Sequence, residues 1–231
     1  MSKANLTVKF IGYLIIFTIV PLLALGLISL RVATQVLTDE YGKFTTELVQ
    51  NEQEYLDLQL EQVESLIANI SGVEEITNAL ISTEEPDAYS NLATQAQIGY
   101  ILNGYLNLRG LVSIEIFTVD GNHYHVGDTL NIDNIQHDIK DKIFTETLAE
   151  KKNVFWVGIE DNVNGSSVHK KVLVAAKILE QFNYETIQQD PVGLLLINYD
   201  LEGFQKHYDQ IHIGTDAYFM VIDTKGRIIY H

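Results

Sequence analysis

The chain has 231 residues, a formal net charge of −16 at pH 7 and a pI near 4.7, a balance that argues against nucleic acid and against an anionic membrane surface as partners. Cysteine is absent. Disulfides, thiolate catalysis and cysteine-based zinc sites are therefore excluded together, and a bacterial outer face suits the chain better than a small secreted animal domain.

The first predicted element runs from Phe10 to Leu30 without a charge, which matches the ~20 helical residues that cross a bilayer core. Pro21 lies mid-span, where neighbouring groups in a membrane helix can re-satisfy the carbonyl it frees. Lys3 and Lys9 precede the run and Arg31 follows it. This stronger N-terminal positive flank places residues 1–9 in the cytoplasm and everything after Arg31 outside the bacterial inner membrane. A cleaved signal peptide is the competing reading, but the run exceeds the roughly 7–15 apolar residues of a signal core and no clean A-x-A site follows.

Residues 31–80 keep a helical rhythm. Leu37, Tyr41, Phe44 and Leu48 recur at three- and four-residue steps, and Leu56, Leu60, Val63, Ile67 and Ile70 do so again, so a long amphipathic helix continues out of the membrane. Gly72 marks a candidate break. The apolar stripe has two uses, packing on its own domain and pairing with a second copy as a homodimer; the repeat is not a strict heptad.

Ser82 to Asp87 reads as a loop, and Ala88 to Leu108 as a second helix. Beyond Gly110 the period changes. Leu111 to Val119 is rich in β-branched and aromatic residues, Asp120-Gly121 is a strong hairpin signal, and Asn122 to Val126 is the returning strand. Asp138 to Lys151 reads as helix, Asn153 to Gly158 as a short strand and Asn162 to Ser167 as a turn. Val168 to Leu179 and Pro191 to Tyr199 are the remaining long strands, with a polar loop from Gln181 to Asp190 between them. Asp200 stands at an N-cap before a short helix, Leu201 to Ile211. The pattern predicts an α+β fold with a PAS-like antiparallel sheet. A last hairpin, Tyr218 to Ile222 and Arg227 to His231, repeats the Ile116 to His125 unit, as if a second domain of the same type begins where the chain stops.

Candidate site residues follow from strand alternation. Glu115 interrupts an apolar strand and so faces solvent or a polar pocket. Tyr124, on the returning strand, serves packing or ligand contact. Trp156 is core or pocket wall, since its area favours burial. Lys177, within Val-Ala-Ala-Lys-Ile, escapes at an edge or pairs with a carboxylate or an anionic ligand, because an unpaired buried ammonium is costly. His123 and His125 have a spacing that can hold a metal, but sequence identifies no third ligand; they are expected as exposed hairpin residues, and no metal or cofactor is assigned. No catalytic motif is present: there is no H-E-x-x-H, G-x-S-x-G, P-loop or dinucleotide fingerprint. An anchored enzyme without a recognisable motif and a structural tether without a ligand are both compatible with these residues.

Three stretches, VSIEIFTVDG, VGLLLINYDLEGF and GTDAYFMVIDTKGRIIYH, resemble the extracytoplasmic double-Cache sensor family of bacterial transmembrane receptors. The resemblance implies a membrane-distal Cache subdomain over residues 81–213 and the first hairpin of a truncated membrane-proximal one over 214–231. It also implies a ligand-sensing input module for a small-molecule solute, feeding a chemoreceptor, histidine kinase or diguanylate cyclase output. Asn198 stands where the family's amino-acid-binding pattern has an Asp for the ligand's ammonium group. Asn can accept that hydrogen bond but supplies no charge. The expected Arg-x-Trp-Tyr cluster is missing, because the single tryptophan, Trp156, stands in Asn-Val-Phe-Trp-Val.

Overall fold

The computed structural model describes residues 4–81, 88–150, 152–184, 186–211, 218–223 and 226–230; the expected loop Ser82–Asp87 lies outside them. The chain divides into two compact units, Met1–Asp57 and Leu58–His231.

The first unit belongs to a single helix, α1 (Ala4–Ser71), which carries Pro21 inside it. Its apolar N-terminal portion is long enough to cross a membrane, and none of that window is buried in protein. Beyond it, the hydroxyls of Thr34, Thr38, Thr45 and Thr46 donate to the carbonyls four residues back, so these polar side chains are satisfied within the helix. Leu37, Tyr41 and Phe44 are exposed.

In the second unit α1 stops at Ser71. The Gly72 N–H returns to the carbonyls of Ala68 and Asn69, and the chain restarts as α2 (Glu74–Ile81). The helix expected to run on to about residue 80 is thus broken where glycine weakens it. After α3 (Ala88–Asn103) come β1 (Leu111–Thr118), β2 (His123–Gly127), α4 (His137–Glu150), β3 (Phe155–Asp161), β4 (Lys171–Asn183) and β5 (Gln188–Asp200). Then follow α5 (Leu201–Tyr208), β6 (Val221–Ile222) and β7 (Ile228–Tyr230). Asp200 caps α5 as expected, its carboxylate accepting from the N–H groups of Glu202 and Gly203.

The five-stranded sheet has the order β2-β1-β5-β4-β3, and every pair is antiparallel. The last strand therefore lies beside the first at the centre, where a plain meander would have left it at an edge. The polar loop expected between Gln181 and Asp190 is mostly strand: pairing continues from Phe182↔Gln189 to Asn183↔Gln188. Each face of the sheet carries its own core. On one face Ile114, Ile116, Leu195 and Ile197 pack against Val63, Ile67 and Ile70 of α1, with α2 and α3 alongside. On the other face Val172, Val174, Leu194 and Leu196 pack against Ile143 of α4 and Val163. The stripe Val63, Ile67, Ile70 thus packs on its own domain, while Leu37, Tyr41 and Phe44 remain uncovered.

At Gly110, φ is +85°, and a Cβ there would run into the Tyr199 ring. Only glycine meets both demands. The Tyr199 hydroxyl is held nearby by the Arg109 carbonyl and by Gln59.

The C-terminal hairpin docks on β3 through one guanidinium. Arg227 donates to the carbonyls of Val157 and Ile159 at 2.6 and 3.1 Å and to the carboxylates of Asp223 and Glu160 at 2.6 and 3.0 Å. Gly158, at φ +95°, leaves the space the guanidinium occupies. Burial alone would raise the Glu160 pKa, but Lys142 and Arg227 outweigh it and hold the carboxyl below its ordinary value of 4.5. A carboxyl lowered on folding stabilises above its unfolded pKa, and that contribution is lost as pH falls through the lower folded value. Hydrogen exchange is therefore expected to show the β6–β7 amides protected at pH 7 and losing protection below about pH 4.5. Arg227→Ala should produce the same loss at pH 7; protection in the variant as full as in the parent chain would show that the guanidinium does not hold the hairpin.

Candidate functional site

The five residues singled out from the sequence fall on opposite faces of the sheet. Tyr124 is buried in the helix-covered core with Ile114 and Ile116, and burial raises its phenol pKa. Trp156 packs against the same core and donates its indole N–H to Glu64 of α1 at 2.9 Å. Lys177 pairs with Leu195 in the register and is half-buried on that side. Glu115 and Asn198 lie on the face covered by α4. Both are fully buried.

Register explains how those two meet. Ser113 is opposite Asn198 across the β1–β5 pair, and Glu115 opposite His125 across the β1–β2 pair. The Asn198 amide donates to the Ser113 hydroxyl at 2.8 Å, and that hydroxyl donates to Glu115 Oε1 at 3.1 Å. His123 Nε2 lies 2.6 Å from Glu115 Oε2, and His125 Nδ1 lies 2.8 Å from Oε1. The other ring nitrogen, His125 Nε2, is 2.7 Å from the Thr129 carbonyl. That carbonyl can only accept, so Nε2 is the donor. Among the described residues, two buried side-chain atoms have no aligned hydrogen-bond partner: His125 Nδ1, at ion-pair distance from Glu115, and Asn198 Oδ1.

The electrostatics follow from this packing. Burial pushes the Glu115 carboxyl up, but its contacts with His123 and His125 outweigh burial and hold it below the ordinary carboxylate value. Burial pushes the His125 imidazole down, and the Glu115 carboxylate beside it more than reverses this, leaving its pKa raised. The histidines are not the exposed hairpin residues their sequence position suggests: the His125 side chain is 3 % exposed and that of His123 14 %. Phe117 stacks on His123 at a centroid distance of 4.3 Å, and Lys140 of α4 lies over the Phe117 ring.

Along the same face, a cavity of about 220 Å³ opens between β1, β5 and α4, lined by Phe117, Thr118, Lys140, Asp141, Phe144 and Leu194. A cleft of about 510 Å³ lies on the helical side, between the last turns of α1 and residues 104–108. Most residues lining that cleft are exposed, and neither of the unpartnered buried acceptors borders the cleft or the cavity. A further polar group, on the loops beside α4, is internally satisfied. Asp128 accepts from Ser167 and from the Val168 N–H, Asn162 and Asn164 accept backbone N–H groups two residues on, and Gln136 donates to the Asn162 carbonyl. It shapes the loop and offers nothing to a ligand.

Ser113, His123 and His125 escaped the ligand reading of the sequence. The only signal for the histidines was the H-x-H spacing, and Ser113 had none.

No protein-family model matches the chain, and no curated protein matches it. Solved structures do. The ligand-binding domain of the Campylobacter jejuni chemoreceptor Tlp3, in complex with L-norvaline, superposes with a TM-score of 0.50 at 17% identity over 77% of this chain and 62% of that one. The ligand-binding domain of the Pseudomonas fluorescens chemoreceptor CtaA, in complex with L-isoleucine, gives 0.52 at 12% identity over 77% and 63%. The chain thus spans about three fifths of the length of these domains. At such identities the likeness establishes the fold: a chemoreceptor ligand-binding domain fold, of the Cache type that the sequence resemblance implied.

Proposed function

We propose that the chain is the extracytoplasmic input module of a membrane signal-transduction receptor, binding a small solute on the α4 face of its sheet. The observation that carries this is the buried, unpartnered carbonyl oxygen of Asn198; the cavity of about 220 Å³ lies further along the same face, at Phe117, Lys140 and Leu194, and Asn198 does not line it. An acceptor left unpaired at full burial costs about 1–3 kcal/mol. A solute bringing an N–H or O–H donor would recover that cost. Amino acids are the ligands named for the Tlp3 and CtaA domains. A neutral Asn198 in place of a carboxylate shifts the preference here toward a solute whose donor carries less charge.

In this reading Phe10–Leu30 is the anchor in a bacterial inner membrane and residues 1–9 are cytoplasmic. The 81–213 region is the sensing subdomain and 214–231 opens a second one. The exposed Leu37, Tyr41 and Phe44 stripe of α1 pairs with the same stripe of a second copy, since exposed apolar rows on a helix are used for association. Val63, Ile67 and Ile70 of the same helix pack directly on the sheet, so a solute that shifts the sheet shifts the helix. The chain performs no chemistry.

A thermal-shift screen of amino acids, organic acids, amines and purines on the full chain in detergent tests this. A true ligand at 100 times its Kd adds about 2.7 kcal/mol of stability. Asn198→Ala should weaken its binding at least tenfold, while Trp156→Ala, on the opposite face, leaves affinity within about twofold. A solute whose affinity follows Trp156 and ignores Asn198 would move the site to the helical side; a screen in which nothing stabilises the chain would favour the tether.

A further inference from the structure

We infer that Glu115, His123 and His125 form a binding site for a divalent transition-metal ion of the zinc class. His125 Nε2 is committed as donor to the Thr129 carbonyl, so in the neutral ring Nδ1 carries a lone pair. That nitrogen lies 2.8 Å from a carboxylate oxygen. Two acceptors in such proximity repel unless a cation lies between them, and the cation is either a proton or a metal ion. A proton on His125 makes an ion pair with Glu115, but the Nδ1–Oε1 contact is not aligned as a hydrogen bond. A metal ion accepts donors from several directions at once.

The donor set fits that role. One carboxylate oxygen and two imidazole nitrogens all lie within 4.8 Å of one another, and zinc binds such atoms at about 2.0–2.2 Å. The register fixes them: Glu115 opposite His125, and His123 opposite Phe117 on the same strand pair. The supporting groups are those that ligating side chains need. The Thr129 carbonyl holds the His125 ring, and the Asn198 amide orients Ser113, whose hydroxyl donates to Glu115. Phe117 stacks on His123 and fixes its plane, while the 14 % exposure of the His123 side chain leaves a way in. Two imidazoles and a carboxylate select zinc, nickel, cobalt or copper over magnesium and calcium, which prefer an all-oxygen shell. Three protein ligands leave a fourth position for water or another oxygen donor. The inference uses no part of the solute reading and stands without it.

The test uses the untagged full chain in detergent, stripped of metal with a chelator. Titration with Zn²⁺ is expected to show one tight equivalent per chain, and Co²⁺ in the same site to give the intense visible bands of a four-coordinate ion. His123→Ala and Glu115→Gln should each weaken Zn²⁺ at least tenfold and abolish the Co²⁺ bands. Ser113→Ala, which removes only an outer hydrogen bond, should cost about tenfold. His207→Ala, on α5, should change nothing. His123→Ala lies at the more open edge of the cluster, so it keeps the test valid if Glu115→Gln fails to fold. No stoichiometric Zn²⁺, or Zn²⁺ binding that survives both ligand substitutions, would overturn the site. A metal that binds as described with no solute found by thermal shift would leave this inference standing and remove the solute reading.

Discussion

Glu115→Ala is expected to destabilise the metal-free protein by about 3–5 kcal/mol, the cost of removing one partner from a buried ion pair. Glu115 is fully buried and receives contacts from three side chains, His123, His125 and Ser113. Its removal takes from His123 and His125 the carboxylate they face, and from the Ser113 hydroxyl the oxygen it donates to. Denaturant unfolding in the presence of a chelator measures this, with Trp156 as the single tryptophan reporter and its bond to Glu64 as the contact that reports the folded state. Glu115→Gln keeps the shape and one acceptor, so it should cost clearly less. A loss of under about 0.5 kcal/mol for the alanine variant, the level of an ordinary surface change, would mean that the carboxylate contributes nothing to the fold.

The second large effect lies on α1. Ile67→Ala removes a side chain with no exposed surface, wedged between the helix and the sheet, and should cost about 2–5 kcal/mol in transfer and cavity terms. Phe44→Ala on the same helix should leave thermal stability within about 0.5 kcal/mol, because its ring touches solvent. If the exposed stripe is a dimer seam, Phe44→Ala should instead weaken self-association in analytical ultracentrifugation. The two substitutions separate the use of the helix as core from its use as interface. Equal effects on stability would erase that division.

Much of this architecture could be read from residues alone, because local signals happened to be strong. The uncharged Phe10–Leu30 run, the Asp120-Gly121 turn with Gly121 at φ +92° and the Asp200 cap each depend only on near neighbours. The β4–β5 hairpin could not be read that far. Its outer pairs, such as Gln181↔Asp190 and Asn183↔Gln188, are polar residues whose composition signals a loop, and only the length of the inner apolar pairing extends them into strand. The site was half legible for a different reason. Alternation shows that Glu115 and Ser113 share a face, but not which face α4 will cover, so Tyr124, Trp156 and Lys177 could be grouped with them. The partner that completes His123 and His125 is set by inter-strand register, which no single strand contains.

The central position of β5 has a consequence for how the molecule is made. Ile116 of β1 pairs with Leu195 of β5, a partner roughly 80 residues further along, and such distant closure slows folding. During synthesis at about 5–20 residues per second, β1 waits some 4–16 s for it. Through that interval the β1–β2 hairpin presents a bare hydrogen-bonding edge lined with isoleucine and phenylalanine, the kind of edge that recruits stray strands. A nascent chain stalled before Asp200 is therefore the most aggregation-prone form of this protein, and the one a chaperone would meet first.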